Sequence, residues 1–172
     1  YAEDNIDLTP KLKMNAGVRL SLFNVQDTSY FVLQPRLSLR YMATEDLSFK
    51  LSYSKMGQFV HLLTTSAISL PTDLWLPVTK RYEPPVSHQV ALGSGFLIPG
   101  DLEVTVEAFY KTMDNLIEYK EGAFFGGTGA GWESKVEKGR GWAYGSEFMV
   151  EKNYGKLTGW IGYTLSWTQR KF

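Results

Sequence analysis

The stretch from Phe31 to Tyr41 decides the fold, and it reads Phe-Val-Leu-Gln-Pro-Arg-Leu-Ser-Leu-Arg-Tyr. Every second residue in it, starting with Phe31, is apolar, and the residues between them are mostly polar or basic. A period of two is the pattern of a β-strand whose two faces meet different surroundings. The stretch therefore predicts a strand with an apolar face that carries an aromatic ring at each end.

The same alternation recurs along the chain and predicts an all-β fold, with residues 1–172 forming a single antiparallel β-barrel segment. No helix is expected. We expect short turns at one end of the strands and long loops at the other, which is the pattern of an outer-membrane barrel. The longest loops are expected near 56–86 and 114–139. The seven predicted strands lie near 11–23, 31–42, 46–55, 87–97, 102–113, 140–151 and 156–168.

The spacing of the aromatic residues indicates which face meets lipid. Phe31 and Tyr41 are separated by a rise of about 25 Å along the membrane normal, if the strand is tilted by about 40°. This is the height of a lipid-facing band between two aromatic girdles. We predict a lipid-facing girdle of Phe31, Tyr41, Tyr53, Tyr110, Trp142 and Tyr163. The last four are expected at the long-loop end, whereas Phe49, Phe96 and Phe148 are expected nearer the short turns.

The opposite face and the overall composition restrict the class of partner. The polar face carries charges of both signs, which suits a hydrated lumen packed against a polar plug; they include Arg36, Arg40, Lys50, Glu103 and Glu107. The chain has 18 Lys and Arg against 18 Asp and Glu, so its net charge indicates no nucleic-acid partner. It has no cysteine, which excludes disulfides and a catalytic thiol. No run of about 18 apolar residues occurs, which excludes a transmembrane helix.

Catalytic, metal and cofactor sites are not predicted. His61 and His88 lie at the two ends of a long loop and could approach as a metal pair, but hydrated loop residues are the simpler expectation. Glu103 and Glu107 are about 13 Å apart along one strand, too far for a glycosidase pair. The glycine-rich run 126–131 lacks the Lys-Ser/Thr of a phosphate loop, so we expect a loop tip there.

Several segments resemble the TonB-dependent outer-membrane receptors, especially their Bacteroidetes branch. The similar segments are Gln34–Tyr41 with Leu51–Met56, Phe109–Tyr119, Gly141–Glu147 with Lys156–Ser166, and the loop motif Ser69–Trp75. The resemblance implies a bacterial outer-membrane barrel of the 22-stranded type, which imports a siderophore, a cobalamin-like molecule or a glycan. It also implies energy from the TonB-ExbB-ExbD complex, acting through a plug region that has no counterpart in this sequence.

The predicted strand count raises the question of completeness. Seven is odd, whereas a barrel with both termini in the periplasm needs an even number of strands. Phe172 also lacks the apolar residues expected two, four and six positions before a barrel-closing aromatic. We therefore expect an internal piece of a larger barrel, from its C-terminal part. We further expect a local bulge at Pro35, because proline cannot donate to a β-ladder.

Recognition is expected in the long loops, since loops on a rigid barrel carry binding residues. The candidate ligand contacts are Trp75, Arg81, Tyr82, Tyr119 and Trp132. The aromatic residues among these candidates could instead pack the loops against one another. Two other functions also remain open. One is an adhesin or structural barrel without transport, and the other is a soluble β-barrel binding protein with its apolar face inward.

Overall fold

A computed structural model describes residues 1–63, 74–120 and 131–172 of the chain. The described residues form ten β-strands and one short 3₁₀ turn, Trp132–Ser134. Among them, no helix has the length and hydropathy that crossing a lipid bilayer requires. The strands are β1 Ala2–Thr9, β2 Leu12–Val25, β3 Thr28–Met42, β4 Leu47–Gly57, β5 Val60–Leu63, β6 Leu74–Pro77, β7 Val86–Ile98, β8 Leu102–Tyr119, β9 Val136–Lys152 and β10 Gly159–Lys171.

Eight of these strands form one unclosed antiparallel sheet, in the order β1-β2-β3-β4-β7-β8-β9-β10. Strands β5 and β6 pair only with each other, as a separate hairpin. The predicted all-β antiparallel architecture is confirmed, but the count of seven strands is wrong. The additional strand of the large sheet is β1, which has only Ala2, Ile6 and Leu8 as apolar residues. Its alternation is too weak for the sequence pattern to predict a strand.

The cross-strand register places the apolar positions of all eight strands on one face, which we call the outer face. One row of directly opposed residues runs through Leu12, Tyr41, Phe49, Ser94, Val106, Phe148 and Tyr163. Large apolar side chains on this face are exposed, including Phe31 at 65% and Leu92 at 59%. Four side chains that are buried, Val32, Gln34, Ser48 and Ala91, lie instead on the opposite, inner face.

All six predicted girdle residues lie on the outer face, but one lies at the wrong end. Tyr163 pairs with Phe148, and their ring centroids are 6.4 Å apart, at the short-turn end of β9 and β10. The residue level with Tyr53 and Tyr110 is Trp167, which stacks on Tyr144 at 5.5 Å. The alternation gave the face correctly, but it could not give the distance of Tyr163 from the preceding turn.

The expected bulge at Pro35 is also wrong. Pro35 pairs with Val18 in a ladder between β2 and β3 that has no register shift. The ladder from β3 to β4 spans only Arg36 to Met42, so it ends before Pro35. The missing N–H of Pro35 therefore falls beside a stretch where the β4 ladder has already ended. A register shift does occur in β8, between Met113 and Leu116, where Asn115 has φ 57°.

The two long connections contain more regular structure than the alternation predicted. Strand β8 continues to Tyr119 and β9 begins at Val136, and these two residues pair. The shift at Asn115 moves the apolar residues to the other parity, which hid this continuation from the sequence pattern. The first connection contains the β5–β6 hairpin. Residues 64–73 and 121–130 lie outside the described residues, and with them most of the loop motif 69–75 and of the glycine-rich run 126–131.

Candidate ligand-binding cap at the long-loop end

A small apolar core lies at the long-loop end of the sheet. Its buried residues are Leu63, Leu76, Tyr82 and Val136, and Leu74, Ile117, Tyr119 and Trp132 pack against them. We call the β5–β6 hairpin, the segment 78–85 and the segment 131–136 together the loop cap. Because both long connections contribute to this core, the loop cap joins the two predicted loops into one packed unit.

Tyr82 lies at the centre of the loop cap. It is 3% exposed, and its hydroxyl donates to the carbonyl oxygens of Glu133, at 2.7 Å, and Val136, at 2.9 Å. Its ring centroid lies 5.4 Å from that of Trp132. The side chains of Arg81 and Lys138 each place a cation 5.8 Å from the Tyr82 ring, within the range of cation–π attraction. Tyr82 therefore connects the first long connection to the second.

Three further contacts hold the first connection against neighbouring strands, and a fourth joins its two ends. Tyr30 on β3 donates a hydrogen bond to Thr79 O at 2.8 Å. The Asn115 side chain on β8 donates to Pro84 O at 3.1 Å. The rings of Phe23 on β2 and Phe59 stack at 5.0 Å, and Gln58 N donates to Pro85 O at 3.1 Å. The first connection is thus held by residues of β2 and β3 on one side and of β8 on the other.

The two histidines occupy different surroundings. His61 lies on β5 opposite Leu76 and is 3% exposed, so it is not the hydrated loop residue that the sequence suggested. Burial lowers the pKa of His61, and a hydrogen bond with the backbone of Tyr82 offsets part of that effect. Its Nε2 atom has no hydrogen-bond partner within the described part of the chain. His88 lies on β7 instead, with Nδ1 2.9 Å from the hydroxyl of Tyr53.

The five predicted ligand contacts divide by their exposure. Trp75 is 61% exposed and Arg81 is exposed, so both are open to solvent. Tyr119 and Trp132 are half-buried against the cap core, and Tyr82 is inside it. Contact with a ligand stays a prediction for all five residues, but three of them have a packing role that accounts for their position.

The β5–β6 hairpin is apolar on both faces, so its sequence has no alternation that predicts a strand. One face packs on the cap core through Leu63 and Leu76. On the other face Leu62, 42% exposed, lies directly opposite Trp75. The exposed side chains of the loop cap thus include the indole ring of Trp75, its aliphatic neighbour Leu62 and the guanidinium of Arg81. Such side chains are suited to binding a flat or apolar molecule. Within the described residues, no group of three or more His, Asp or Glu side chains could hold a metal ion.

The chain combines an apolar outer face, short turns at one end of its strands and a packed loop cap at the other end. The family model for the TonB-dependent receptor-like β-barrel matches residues 1–172. The chain belongs to this family. A crystal structure of the ferric-catecholate import receptor Fiu from E. coli K12, in a closed form, has a similar fold, with a TM-score of 0.65 and 16% identity. The similarity covers 99% of this chain and 27% of that receptor.

Membership of the TonB-dependent receptor-like family confirms the resemblance on which the sequence interpretation depended. Its members are outer-membrane receptors and transporters rather than enzymes. No curated protein is similar enough to this chain to match it. The 16% identity to the solved receptor shows a shared fold only. The Bacteroidetes origin and the missing plug region stay predictions.

Proposed function

We propose that this chain forms part of the wall of an outer-membrane receptor that binds a scarce nutrient outside the cell and imports it. The observation that carries the proposal is the continuous outer face, where apolar side chains of eight strands are exposed together. Monomeric soluble proteins rarely expose a contiguous apolar patch larger than a few hundred Å². A lipid bilayer satisfies such a face without cost, and lipid is therefore the first partner that we assign.

The edges of the sheet support a larger barrel. Among the described strands, β1 pairs only with β2 and β10 pairs only with β9. Unpaired backbone groups within lipid cost several kcal/mol each, so only closed barrels are stable there. We infer that other strands of the parent receptor, of the 22-stranded type, pair with these two edges. That this chain corresponds to 27% of the solved receptor chain is in keeping with this interpretation.

For the ligand we propose a flat, negatively charged molecule that contacts Trp75 and Arg81. An exposed indole offers a stacking surface, and a guanidinium offers charge-assisted hydrogen bonds to anionic oxygens. A siderophore fits this chemistry, and the solved structural relative imports ferric catecholates. A cobalamin-like molecule and a glycan remain the other candidates. Release of the ligand inward would draw energy from the TonB-ExbB-ExbD complex, through the plug region of the parent.

The ligand proposal is tested by uptake measurements with the complete receptor in cells. Trp75→Ala and Arg81→Ala should each reduce uptake of the ligand while leaving the amount of receptor in the outer membrane unchanged. Tyr154→Ala is the matched control, because Tyr154 is 71% exposed at the short-turn end, away from the loop cap. Uptake that is unchanged for both cap variants would remove these residues from the binding site.

The two alternative functions make different predictions. An adhesin or structural barrel would reside in the same membrane but would not need a plug region, so the encoded sequence before Tyr1 distinguishes it from an importer. A soluble binding protein would keep its apolar face inward. The exposure of Phe31 and Leu92 weighs against that alternative. A receptor that stays monomeric and folded in plain buffer, without detergent, would favour it.

A further inference from the structure

The outer face changes from apolar to basic at its long-loop end. Its last mostly aromatic row runs through directly opposed residues, which are Tyr53, Val90, Tyr110, Tyr144 and Trp167. The next row towards the long loops is largely polar, and it consists of Lys55, His88, Thr112, Trp142 and Gln169. One row further along β9 and β10, Arg140 lies directly opposite Lys171. The apolar band therefore ends at a boundary that carries basic side chains.

The basic pair of Arg140 and Lys171 has no ion-pair partner among the described residues. Both side chains are exposed. Like charges at directly opposed positions destabilise a sheet. Asp114 lies in the bulge of β8 that faces Arg140, but the ion pair found within the described part of the chain joins Lys13 to Asp7 instead. An anion bound between Arg140 and Lys171 would relieve their repulsion.

An aromatic surface lies directly below this pair on the same two strands. The rings of Tyr144 and Trp167 stack at 5.5 Å, and both are exposed on the outer face, at 37% and 48%. Lys171 follows Trp167 by four residues, which is about 13 Å along the strand and about 10 Å along the membrane normal at a tilt of about 40°. A lipid whose acyl chain contacts the stacked rings would therefore bring its headgroup level with Arg140 and Lys171.

From this arrangement we propose that Arg140 and Lys171 bind the phosphate of a lipid headgroup in the outer leaflet of the membrane. The guanidinium of Arg140 donates two hydrogen bonds to phosphate oxygens, and the ammonium of Lys171 supplies a second positive charge. The acyl chain lies against Tyr144 and Trp167. The proposal rests on the proposed function, which places the long-loop end of the outer face in that leaflet. It goes further because it selects the lipid by the charge of its headgroup.

The apolar surface identifies the occupant as a lipid rather than a free anion. Inorganic phosphate could contact the two cations, but it would leave the exposed rings below them uncovered. The other basic residue of the boundary, Lys55, lies on β4, and three strand spacings of about 4.8 Å separate β4 from β9, or roughly 14 Å in all. One phosphate cannot contact both positions. Lys55 therefore lies outside the proposed site, although it carries the same charge on the same face.

Lipid retention by the complete receptor tests the proposal. The receptor is purified in a neutral detergent and mixed with equal amounts of phosphatidic acid and phosphatidylcholine that have the same acyl chains. Native mass spectrometry then gives the ratio of the two bound lipids. Wild type should prefer phosphatidic acid, and Arg140→Gln and Lys171→Gln should each reduce that preference about fivefold. Arg140→Lys keeps the charge and should retain most of the preference. Lys55→Gln is the matched control and should resemble wild type.

Three outcomes would overturn the proposal. They are a wild-type receptor without preference, a preference that survives in both Gln variants of the pair, and an equal loss in Lys55→Gln, which would indicate diffuse attraction by the whole boundary. An excess of inorganic phosphate should leave most of the phosphatidic acid bound, and complete displacement would identify a free anion as the occupant instead of a lipid. Insertion of the wild-type receptor into phosphatidylcholine vesicles is measured in parallel. Failure to insert would count against the proposed function rather than against the headgroup site.

Discussion

The side-chain oxygen of Gln34 accepts a hydrogen bond from Gly57 N, at 3.2 Å, where the ladder between β3 and β4 has already ended. The amide nitrogen of Gln34 also donates to Ser21 Oγ on β2, at 2.9 Å. One buried side chain, 5% exposed, thus bridges three strands beside Pro35. The bridge supplies a hydrogen bond next to the residue that cannot donate one.

The first prediction concerns this bridge. Gln34→Leu should leave Gly57 N and Ser21 Oγ without these partners and lower the free energy of unfolding by about 1–3 kcal/mol. Gln169→Leu, at an exposed outer-face position, should cause no such loss. Hydrogen exchange at the end of β4 measures the effect. Exchange that is equal in the two variants would contradict the role of Gln34.

The second prediction concerns the close approach of Gly57 to Val32. A Cβ at residue 57 would lie 2.6 Å from Val32 Cγ1, which is a clash. Gly57→Ala should therefore destabilise the receptor by about 1–3 kcal/mol. Adding Val32→Ala should recover part of that loss, because it removes the clashing atom. Gly162→Ala is the control, since a Cβ there meets atoms no nearer than 3.6 Å. A double variant less stable than both single variants would refute the contact.

The third prediction concerns the Tyr82 hydroxyl. Tyr82→Phe keeps the ring against Trp132 but removes the donor to the carbonyls of Glu133 and Val136. The segment 131–136 should then open more often, at a cost of about 1–3 kcal/mol, and become more sensitive to limited proteolysis. Tyr154→Phe, at an exposed turn, should show wild-type proteolysis. Protection of the segment in Tyr82→Phe would mean that apolar packing alone holds the loop cap.

The fourth prediction concerns pH. Burial lowers the pKa of His61 in the folded loop cap below the unfolded value near 6.5. The neutral form is therefore favoured by folding. The stability of the loop cap should be complete above about pH 6.5 and should decrease as the pH falls towards the folded pKa. Protonated His61 would also join Arg81 and Lys138, the two cations around Tyr82.

Proteolysis of the loop cap as a function of pH measures this dependence. Wild type should become more sensitive to cleavage in acid, and His61→Leu should lose most of that dependence. His88→Gln should retain it, because His88 lies outside the cap core. Equal acid sensitivity in wild type and His61→Leu would exclude His61 as its source.

Much of the fold follows from the period-two pattern, because that pattern records which residues of each strand share a face. The outer-face residues Phe31, Tyr41, Tyr53, Tyr110 and Trp142 were found in this way. The pattern could not place Tyr163 at the correct end, because the height of a residue depends on where its strand begins. It also missed the end of β8, because the shift at Asn115 reverses the parity of the residues that follow.

The candidate site was less accessible to sequence reasoning. Aromatic residues in a long connection attract attention equally whether they pack a core or face a ligand. Only the tertiary contacts show that Tyr82 is buried while Trp75 is open. The burial of His61 was hidden for a similar reason, since the β5–β6 hairpin is apolar on both faces and gives no alternation.

The outer face in lipid is the central claim, and neighbouring residues of β4 test it most directly. Leu51 is exposed on the outer face and Ser52 lies on the inner face, and this chain has no cysteine of its own. Leu51→Cys and Ser52→Cys, each labelled with a fluorophore in the reconstituted receptor, are exposed to a quencher attached to the lipid acyl chains. We predict strong quenching at residue 51 and little at residue 52. Equal quenching at both positions, or quenching at residue 52 alone, would contradict a lipid-facing apolar surface.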